Sequence, residues 1–242
     1  MNAITVAVAG LAGLTTGAAA RPAITALAVP TGHQRRTCTS CGSSPQLPRP
    51  STLHRTLRGR CANCGHPAPP AAALPELLGA ASFSLIAASG ATGWHAAALY
   101  WLTACGLALA LIDFAVHRLP DALTFPASIG TLALLLIAGA AGESGSAARS
   151  LEAAGLLTAL FFVTALAGGI GLGDVKLAPA LGAILGWISW PALLLGSFAS
   201  FLLAASTGLV LLTIRRVLRR HARIAFGPAM MAATLGASLL LH

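Results

Sequence analysis

Eight long apolar runs dominate the sequence, and a soluble fold cannot bury so many apolar segments. They cover residues 3–28, 74–93, 96–114, 121–141, 151–170, 175–188, 191–213 and 226–241. About 20 apolar residues in helical form cross the hydrocarbon core of a bilayer. Lipid offers no hydrogen-bond partner to a peptide group, so runs of this kind cross as α-helices. The pattern predicts an all-α integral membrane protein with about eight transmembrane helices, of which the short sixth is tilted or partly buried.

The charge content excludes a soluble domain and argues against a nucleic-acid partner. Charged residues make up 9% of the chain and apolar residues 56%, whereas a soluble domain carries about 25% charged residues. The net charge of +9 is carried in short segments between the apolar runs. Basic residues in such segments orient helices and meet anionic lipid headgroups, so the expected partner is the lipid bilayer.

Two basic segments predict the orientation of the chain. Residues 31–70 and 215–223 carry most of the arginines and, with eight spans, fall on the same side of the membrane. Positive loops stay in the cytoplasm, which predicts an N-terminus outside. No basic residue precedes the first apolar run, so we interpret it as a retained helix and not a cleaved signal peptide. Trp94, Trp187 and Trp190 then lie at outer helix ends, as in an aromatic belt.

The aspartates lie at the boundaries of apolar runs. Asp113 ends the third run, Asp121 opens the fourth, and Asp174 lies between the fifth and the sixth. An acid at such a depth is costly and is a functional candidate by default. The alternative for each is a helix cap, which suits Asp121 because Pro120 precedes it and an acid favours the first turn of a helix.

Two carboxyl groups on different helices can hydrolyse a peptide bond. One is ionised and takes a proton from water, while the neutral one donates a hydrogen bond to the substrate carbonyl. Glycines at positions 168, 169, 171 and 173 favour a helix break beside Asp174, although small residues also allow close helix packing. Lys176 either pairs with an acid or extends to the headgroups.

Four cysteines form a C-x2-C-x19-C-x2-C pattern: Cys38, Cys41, Cys61 and Cys64. This spacing is typical of a tetrahedral zinc site, in which each C-x2-C turn presents two sulfur atoms to one ion. A cytoplasmic position disfavours disulfides, and redox-active or unliganded thiols are the alternative. Four protein ligands leave no open position, so the predicted Zn²⁺ has a structural role in a cytoplasmic loop.

These motifs together resemble the type IV prepilin peptidases, a branch of the GxGD aspartyl proteases. The resemblance extends over nearly the whole chain and rests on four features in the same order as in that family. They are the double C-x2-C loop ending in GRCANCGHP, Ile112-Asp113 followed by Leu119-Pro120-Asp121, the GxGDxK motif from Gly171 to Lys176, and Phe226-Gly227-Pro228.

The resemblance implies an enzyme of the bacterial inner membrane that cleaves the basic leader of prepilins and pseudopilins at the cytoplasmic face. It implies Asp113 and Asp174 as the catalytic pair, with supporting roles for Gly171, Gly173, Lys176 and Asp121. It also implies two regions. Residues 1–73 comprise the first helix and the four-cysteine loop, a possible methyltransferase-type region, and residues 74–242 form the peptidase domain.

Two questions remain open at this point. Many members of the family also methylate the new N-terminus with S-adenosylmethionine, but the segment Ala68-Pro69-Pro70 to Leu74-Pro75-Glu76 keeps only a proline and Glu76 of the usual motif. The methyltransferase activity, and with it this cofactor, is therefore left open. Intramembrane acids and broken helices are also typical of transporters and ion pathways, which are the alternative function.

Overall fold

Helices make up most of the part of the chain that the structure describes. This computed structural model describes residues 3–28, 37–38, 40–43, 52, 55, 58–67, 70–71, 73–168, 170–218 and 225–241, with the backbone alone at 211–212 and 214–218. These ranges contain eight helices and one isolated β-bridge, between Arg60 and Pro67. The helices are α1 (Ala3–Leu27), α2 (Leu74–Ser89), α3 (Gly93–Val116), α4 (Asp121–Ala140), α5 (Ala147–Leu166), α6 (Leu172–Ile188), α7 (Trp190–Leu218) and α8 (Gly227–Leu241).

Five of the eight helices are long and apolar enough to cross a membrane. They are α1, α3, α4, α5 and the first 21 residues of α7. The other three, α2, α6 and α8, have 16, 17 and 15 residues. At 1.5 Å per residue, 15 residues span only about 22 Å. The all-α membrane architecture is confirmed, and length and composition support five of the eight predicted crossings.

Helix α6 lies at the centre of the bundle, packed against α4, α5, α7 and α8. From Leu177 to Trp187 every residue except Pro179 is buried. A helix that is apolar on all sides belongs in the interior of a bundle. The same helix begins with Gly-Asp-Val-Lys after Leu172, so the central element of the fold also carries Asp174.

The three tryptophans expected at outer helix ends have different environments. Trp94 and Trp190 are 46% and 42% exposed, as residues of an aromatic belt are. Trp187 is only 4% exposed, stacks on the ring of His95 at 6.1 Å and packs against Gly145. The belt position was therefore wrong for Trp187, because the bundle encloses the end of α6.

Helices α1 and α2 pack with their backbones in contact. A Cβ atom added at Gly13 would overlap the backbone of Gly79, and one at Gly17 would overlap the backbone of Pro75. Small residues on facing helices permit such approaches, which supply van der Waals contact where lipid removes the hydrophobic drive. This contact fixes the first helix against the segment that follows the cysteine loop.

A buried ion pair joins the same two helices. The Arg21 Nε lies 2.5 Å from Glu76 Oε1, and a second nitrogen donates to Oε2 at 2.8 Å. Both side chains are 6% exposed. Arg21 also donates to the carbonyls of Pro70 and Ala71, each at 3.1 Å. The pair thus holds the end of the cysteine loop against the bundle.

We predict that Glu76→Gln destabilises the protein strongly. The substitution leaves the buried Arg21 without a countercharge, a change that costs about 3–5 kcal/mol in buried pairs. The midpoint of thermal unfolding of the purified protein in detergent should fall. Glu152→Gln is the matched control, because Glu152 is an exposed acid on α5 and its loss should leave the midpoint nearly unchanged. Equal midpoints for the two variants would contradict the prediction.

Candidate active site and cysteine cluster

Asp113 lies in the last turn of α3 and is 4% exposed. His117 follows the last helical residue and caps the helix. Its backbone is left-handed (φ 53°), and its N–H donates to the Asp113 carbonyl at 2.7 Å. The Asp113 Oδ2 accepts a hydrogen bond of 2.9 Å from the backbone N–H of Gly227, at the start of α8. The carboxyl group is thus enclosed between the end of one helix and the beginning of another.

Asp174 lies in the first turn of α6 and is 5% exposed. Its Oδ2 accepts a hydrogen bond from the N–H of Gly171 at 3.2 Å. An acid in a first turn satisfies a free N–H and suits the helix dipole. Among the described residues its Oδ1 is buried without a hydrogen-bond partner. A buried polar atom without a partner calls for an explanation, of which a catalytic role is one.

The predicted helix break before Asp174 is present. Helix α5 ends at Leu166, and Gly168 has a left-handed backbone (φ 77°) that favours glycine. Gly169 lies outside the described residues. Gly173 serves close packing instead, because a Cβ there would lie 3.1 Å from the Leu119 Cβ. That contact presses the loop between α3 and α4 against the start of α6.

These contacts bring the two candidate catalytic acids together. Asp113 lies in the last turn of α3 and Asp174 in the first turn of α6, and these two helices contact each other. The acids are separated by 61 positions in sequence (174 minus 113), so the bundle and not local structure unites them. Two carboxyl groups in one buried place can share a proton.

Asp121 and Lys176 form an ion pair beside this place. The Lys176 Nζ lies 2.6 Å from Asp121 Oδ1, with the two side chains 38% and 57% exposed. The Lys176 Nζ is also 5.6 Å from the centre of the Phe125 ring. Of the two alternatives for Lys176, pairing with an acid is therefore the observed one. An exposed pair contributes about 0–1 kcal/mol, so its main effect is to connect α4 to the first turn of α6.

The four cysteines of the C-x2-C motifs form one cluster. Their sulfur atoms all lie within 4.8 Å of one another, with Cys38 Sγ to Cys64 Sγ at 3.5 Å and Cys41 Sγ to Cys61 Sγ at 3.9 Å. Zinc–sulfur bonds of about 2.3 Å in a tetrahedron imply sulfur separations of about 3.8 Å. The cluster therefore fits one tetrahedral ion, and all four predicted ligands are in place.

The two halves of the cluster repeat one backbone turn. Cys38 N–H donates to the Ser43 carbonyl at 3.0 Å, and Cys61 N–H donates to the His66 carbonyl at 2.7 Å. The glycines that follow, Gly42 and Gly65, have left-handed φ values of 65° and 76°. Each glycine turns the chain so that both sulfur atoms of its pair face the same point.

The thiols depend on one another for their protonation. Hydrogen bonds from Ser43 lower the pKa of Cys41 to about 6, which favours the thiolate that binds metal. The N–H of His66 acts to lower the pKa of Cys64, but the neighbouring Cys38 thiol and burial outweigh it and raise the pKa to about 12. A divalent cation bound by all four thiolates would relieve this competition.

Two of the contacts around these sites are not predicted by the sequence motifs. Gly227 was noted only as part of a motif, and its hydrogen bond to Asp113 joins residues 114 positions apart. Arg21 is not part of any of the motifs described above. Its signal was present in the sequence, because an arginine inside an apolar helix needs a partner and only six acids exist.

Comparison with known proteins gives one consistent family. The profile of the type IV leader peptidase family matches residues 99–212, which include both candidate acids. Among curated proteins, a prepilin leader peptidase/N-methyltransferase of Aeromonas hydrophila is 36% identical over 71% of the chain and 59% of its own length. Proteins with the same description from Burkholderia pseudomallei (strain K96243) and Neisseria gonorrhoeae are each 34% identical. They cover 82% and 75% of the chain and 64% and 62% of their own lengths.

The chain spans about three fifths of the length of these relatives. No solved structure matches it. The shared identity extends well beyond the profile, and the profile itself contains the helices that bring Asp113 and Asp174 together. On these grounds the chain belongs to the type IV leader peptidase family.

Proposed function

We propose that the protein is an aspartic endopeptidase that cleaves the leader of type IV prepilins or pseudopilins. The observation that supports this most directly is the pair of buried carboxyl groups, Asp113 and Asp174, at the ends of two helices that contact each other. Each has one oxygen held by a backbone N–H. Membership of the leader peptidase family and the names of the relatives support the substrate class.

The proposed mechanism uses the two acids in complementary protonation states. Two like charges in one buried site do not both persist, so in this mechanism the dyad holds one proton. The ionised carboxylate takes a proton from a water molecule, which attacks the scissile carbonyl carbon. The protonated carboxyl donates to the carbonyl oxygen and stabilises its developing charge. Proton return to the leaving amine breaks the C–N bond and restores the dyad.

The chain divides in this proposal into two functional regions. Residues 74–242 form the peptidase domain, in which α3, α6 and α8 supply the dyad and its contacts. Residues 1–73 contribute the first helix and the four-cysteine loop. The site lies at the cytoplasmic face of the bacterial inner membrane, with the N-terminus outside. The exposed Lys176–Asp121 pair lies at the edge of that site.

The cysteine cluster is proposed to hold a structural Zn²⁺. Four thiolates would bind the ion, which would supply no open position and only fix the loop. Ser43 and the two glycine turns orient the sulfur atoms. The ion pair of Arg21 and Glu76 then holds the end of the loop against α1 and α2.

N-methylation with S-adenosylmethionine is a second candidate activity, assigned to the first region. The names of the relatives include it. In this chain Glu76, the one acid kept from the usual motif, is engaged with Arg21 in a buried pair. The contacts of Glu76 therefore support a structural role for this residue. An assay of the cleaved product for a methylated N-terminus tests the methyl transfer.

We predict that Asp113→Asn and Asp174→Asn each abolish cleavage. An amide cannot take the proton from water or share one with its partner, so kcat should fall by about 10⁴-fold or more. The measurement is the conversion of a co-expressed type IV prepilin to its shorter form, read by gel shift and mass spectrometry. Glu152→Gln, an exposed acid outside the site, should cleave normally. Cleavage by either Asp→Asn variant, with the same amount of protein in the membrane as for the unmodified protein, would contradict the proposed catalytic pair.

A separate prediction concerns the metal. Purified protein should contain one zinc per chain, and Cys38→Ser and Cys61→Ser should lose most of it, because each removes one of four ligands. Elemental analysis measures the content directly. Cys105→Ser is the matched control, since Cys105 lies on α3 apart from the cluster. Equal zinc in all four proteins would rule the site out.

A further inference from the structure

We propose that the corner formed by Phe226 and Gly227, at the start of α8, is the positioning element of the active site. Gly227 holds the Asp113 carboxyl through its backbone N–H, and Phe226 anchors Gly227 to the bundle. In this arrangement Oδ2 of Asp113 is fixed by the amide, and Oδ1 is left for the reacting atoms. The inference rests on the proposed peptidase function, which it deepens by naming residues outside the two aspartate motifs.

The first support is the closeness of Gly227 to Asp113. The N–H of Gly227 donates to Asp113 Oδ2 at 2.9 Å in a buried position. A Cβ added at residue 227 would lie 2.9 Å from the same Oδ2 and 3.4 Å from Cγ. Any side chain at this position would therefore displace the carboxyl group. A displacement of about 1 Å in a catalytic group can cost about 100-fold in rate.

The second support is the free hydrogen-bonding capacity of the helix start. Phe226 caps α8, since its carbonyl accepts the first helical hydrogen bond, from Met230 N–H at 3.1 Å. The N–H groups of a first turn have no partner within their own helix. The Asp113 carboxylate satisfies one of them and lies at the positive end of the helix dipole. The same contact thus serves the helix and orients the acid.

The third support is a cluster of three aromatic rings that holds the corner. The Phe226 ring centroid lies 6.0 Å from that of Phe161 on α5 and 5.4 Å from that of Phe201 on α7. Phe161 and Phe201 contact each other at 5.8 Å in an edge-to-face arrangement. Phe161 is 1% exposed. Contacts from α5 and α7 therefore fix the residue next to Gly227.

The two acids of the dyad differ in how they are held. Asp174 is oriented by Gly171, three residues away on the same chain segment. Asp113 is oriented by Gly227, which is 114 positions away. Asp174 therefore takes its position from local structure, whereas Asp113 depends on the docking of α8. A substitution at Gly227 should therefore act on catalysis through Asp113.

The kinetic test compares Gly227→Ala with Gly236→Ala in the purified full-length protein. The substrate is a purified type IV prepilin with its leader, on which the unmodified protein is assayed first. Gly227→Ala should lower kcat about 100-fold with KM within about twofold, since the binding surface is intact and only the acid moves. Gly236→Ala lies on the same helix in open space, with no atom within 4 Å of an added Cβ, and should match the unmodified protein.

The kinetic outcomes separate the inference from the proposed function. If the unmodified protein leaves the prepilin intact, the proposed function fails. If it cleaves and Gly227→Ala retains its kcat, or raises KM alone, the positioning role is overturned. Phe226→Leu provides a second variant, which removes the ring contacts but keeps an apolar side chain. It should lower kcat by a smaller factor with KM unchanged, and an unchanged kcat would count against the aromatic anchor.

A hydrogen-exchange measurement tests the contact without any substrate. Asp113→Ala removes the acceptor, so the Gly227 amide should exchange about tenfold faster or more, because hydrogen bonds to charged groups are strong. Pro228 has no N–H, so a peptide ending there reports on Gly227 with little interference. Asp121→Ala, which removes a carboxylate from the exposed pair, should leave this amide unchanged. Equal exchange of the Gly227 amide in all three proteins would refute the contact. The test does not use Gly227→Ala, so it also applies if that variant does not accumulate.

Discussion

A charged group buried among apolar helices must find a partner inside the protein, and this constraint shapes the whole bundle. Neither lipid nor a dry interior stabilises an isolated ion or peptide group. The chain has only six acids, and five have a hydrogen bond or ion pair with another part of the chain. Glu76 forms a buried pair with Arg21, and Asp121 forms an exposed pair with Lys176. Asp113, Asp174 and Glu143 each accept backbone N–H groups at a helix start.

The ends of α3 and α6 show the same principle away from the site. Glu143 accepts the N–H groups of Trp94 and His95 in the first turn of α3, at 2.6 and 3.0 Å. Arg149 donates to the carbonyls of Gly186, Trp187 and Ile188 at the end of α6, at 2.5 to 2.9 Å. Both contacts place charge where the helix dipole favours it. Among the described residues, these two charged side chains connect different parts of the bundle.

The capping and catalytic roles of the acids are therefore compatible. Asp174 caps α6 with one oxygen and has a second, buried oxygen without a partner among the described residues. Asp113 accepts from α8 with one oxygen in the same way. A carboxyl group held at one oxygen is oriented, and the other oxygen is left for chemistry. Capping is then the means by which a bundle of apolar helices preorganises its acids.

The membrane class, the approximate positions of the helices and the four cysteines that cluster could all be read from the sequence. Apolar length, charge content and the C-x2-C spacing are local properties, and local properties can be read along a chain. Helix limits agreed within a few residues. For example, α2 ends at Ser89 where the apolar run extends to residue 93, and α7 continues to Leu218 beyond the run that ends at 213.

Only the tertiary structure decided which side chains meet. It enclosed Trp187, paired Lys176 with Asp121, joined Arg21 to Glu76 and placed Gly227 on Asp113. These contacts join residues that are far apart in sequence, and they depend on how whole helices pack. The hydrophobic pattern does not predict that packing, because most faces of these helices are apolar. The acids were visible in the sequence, but the partner of each was set by helix packing.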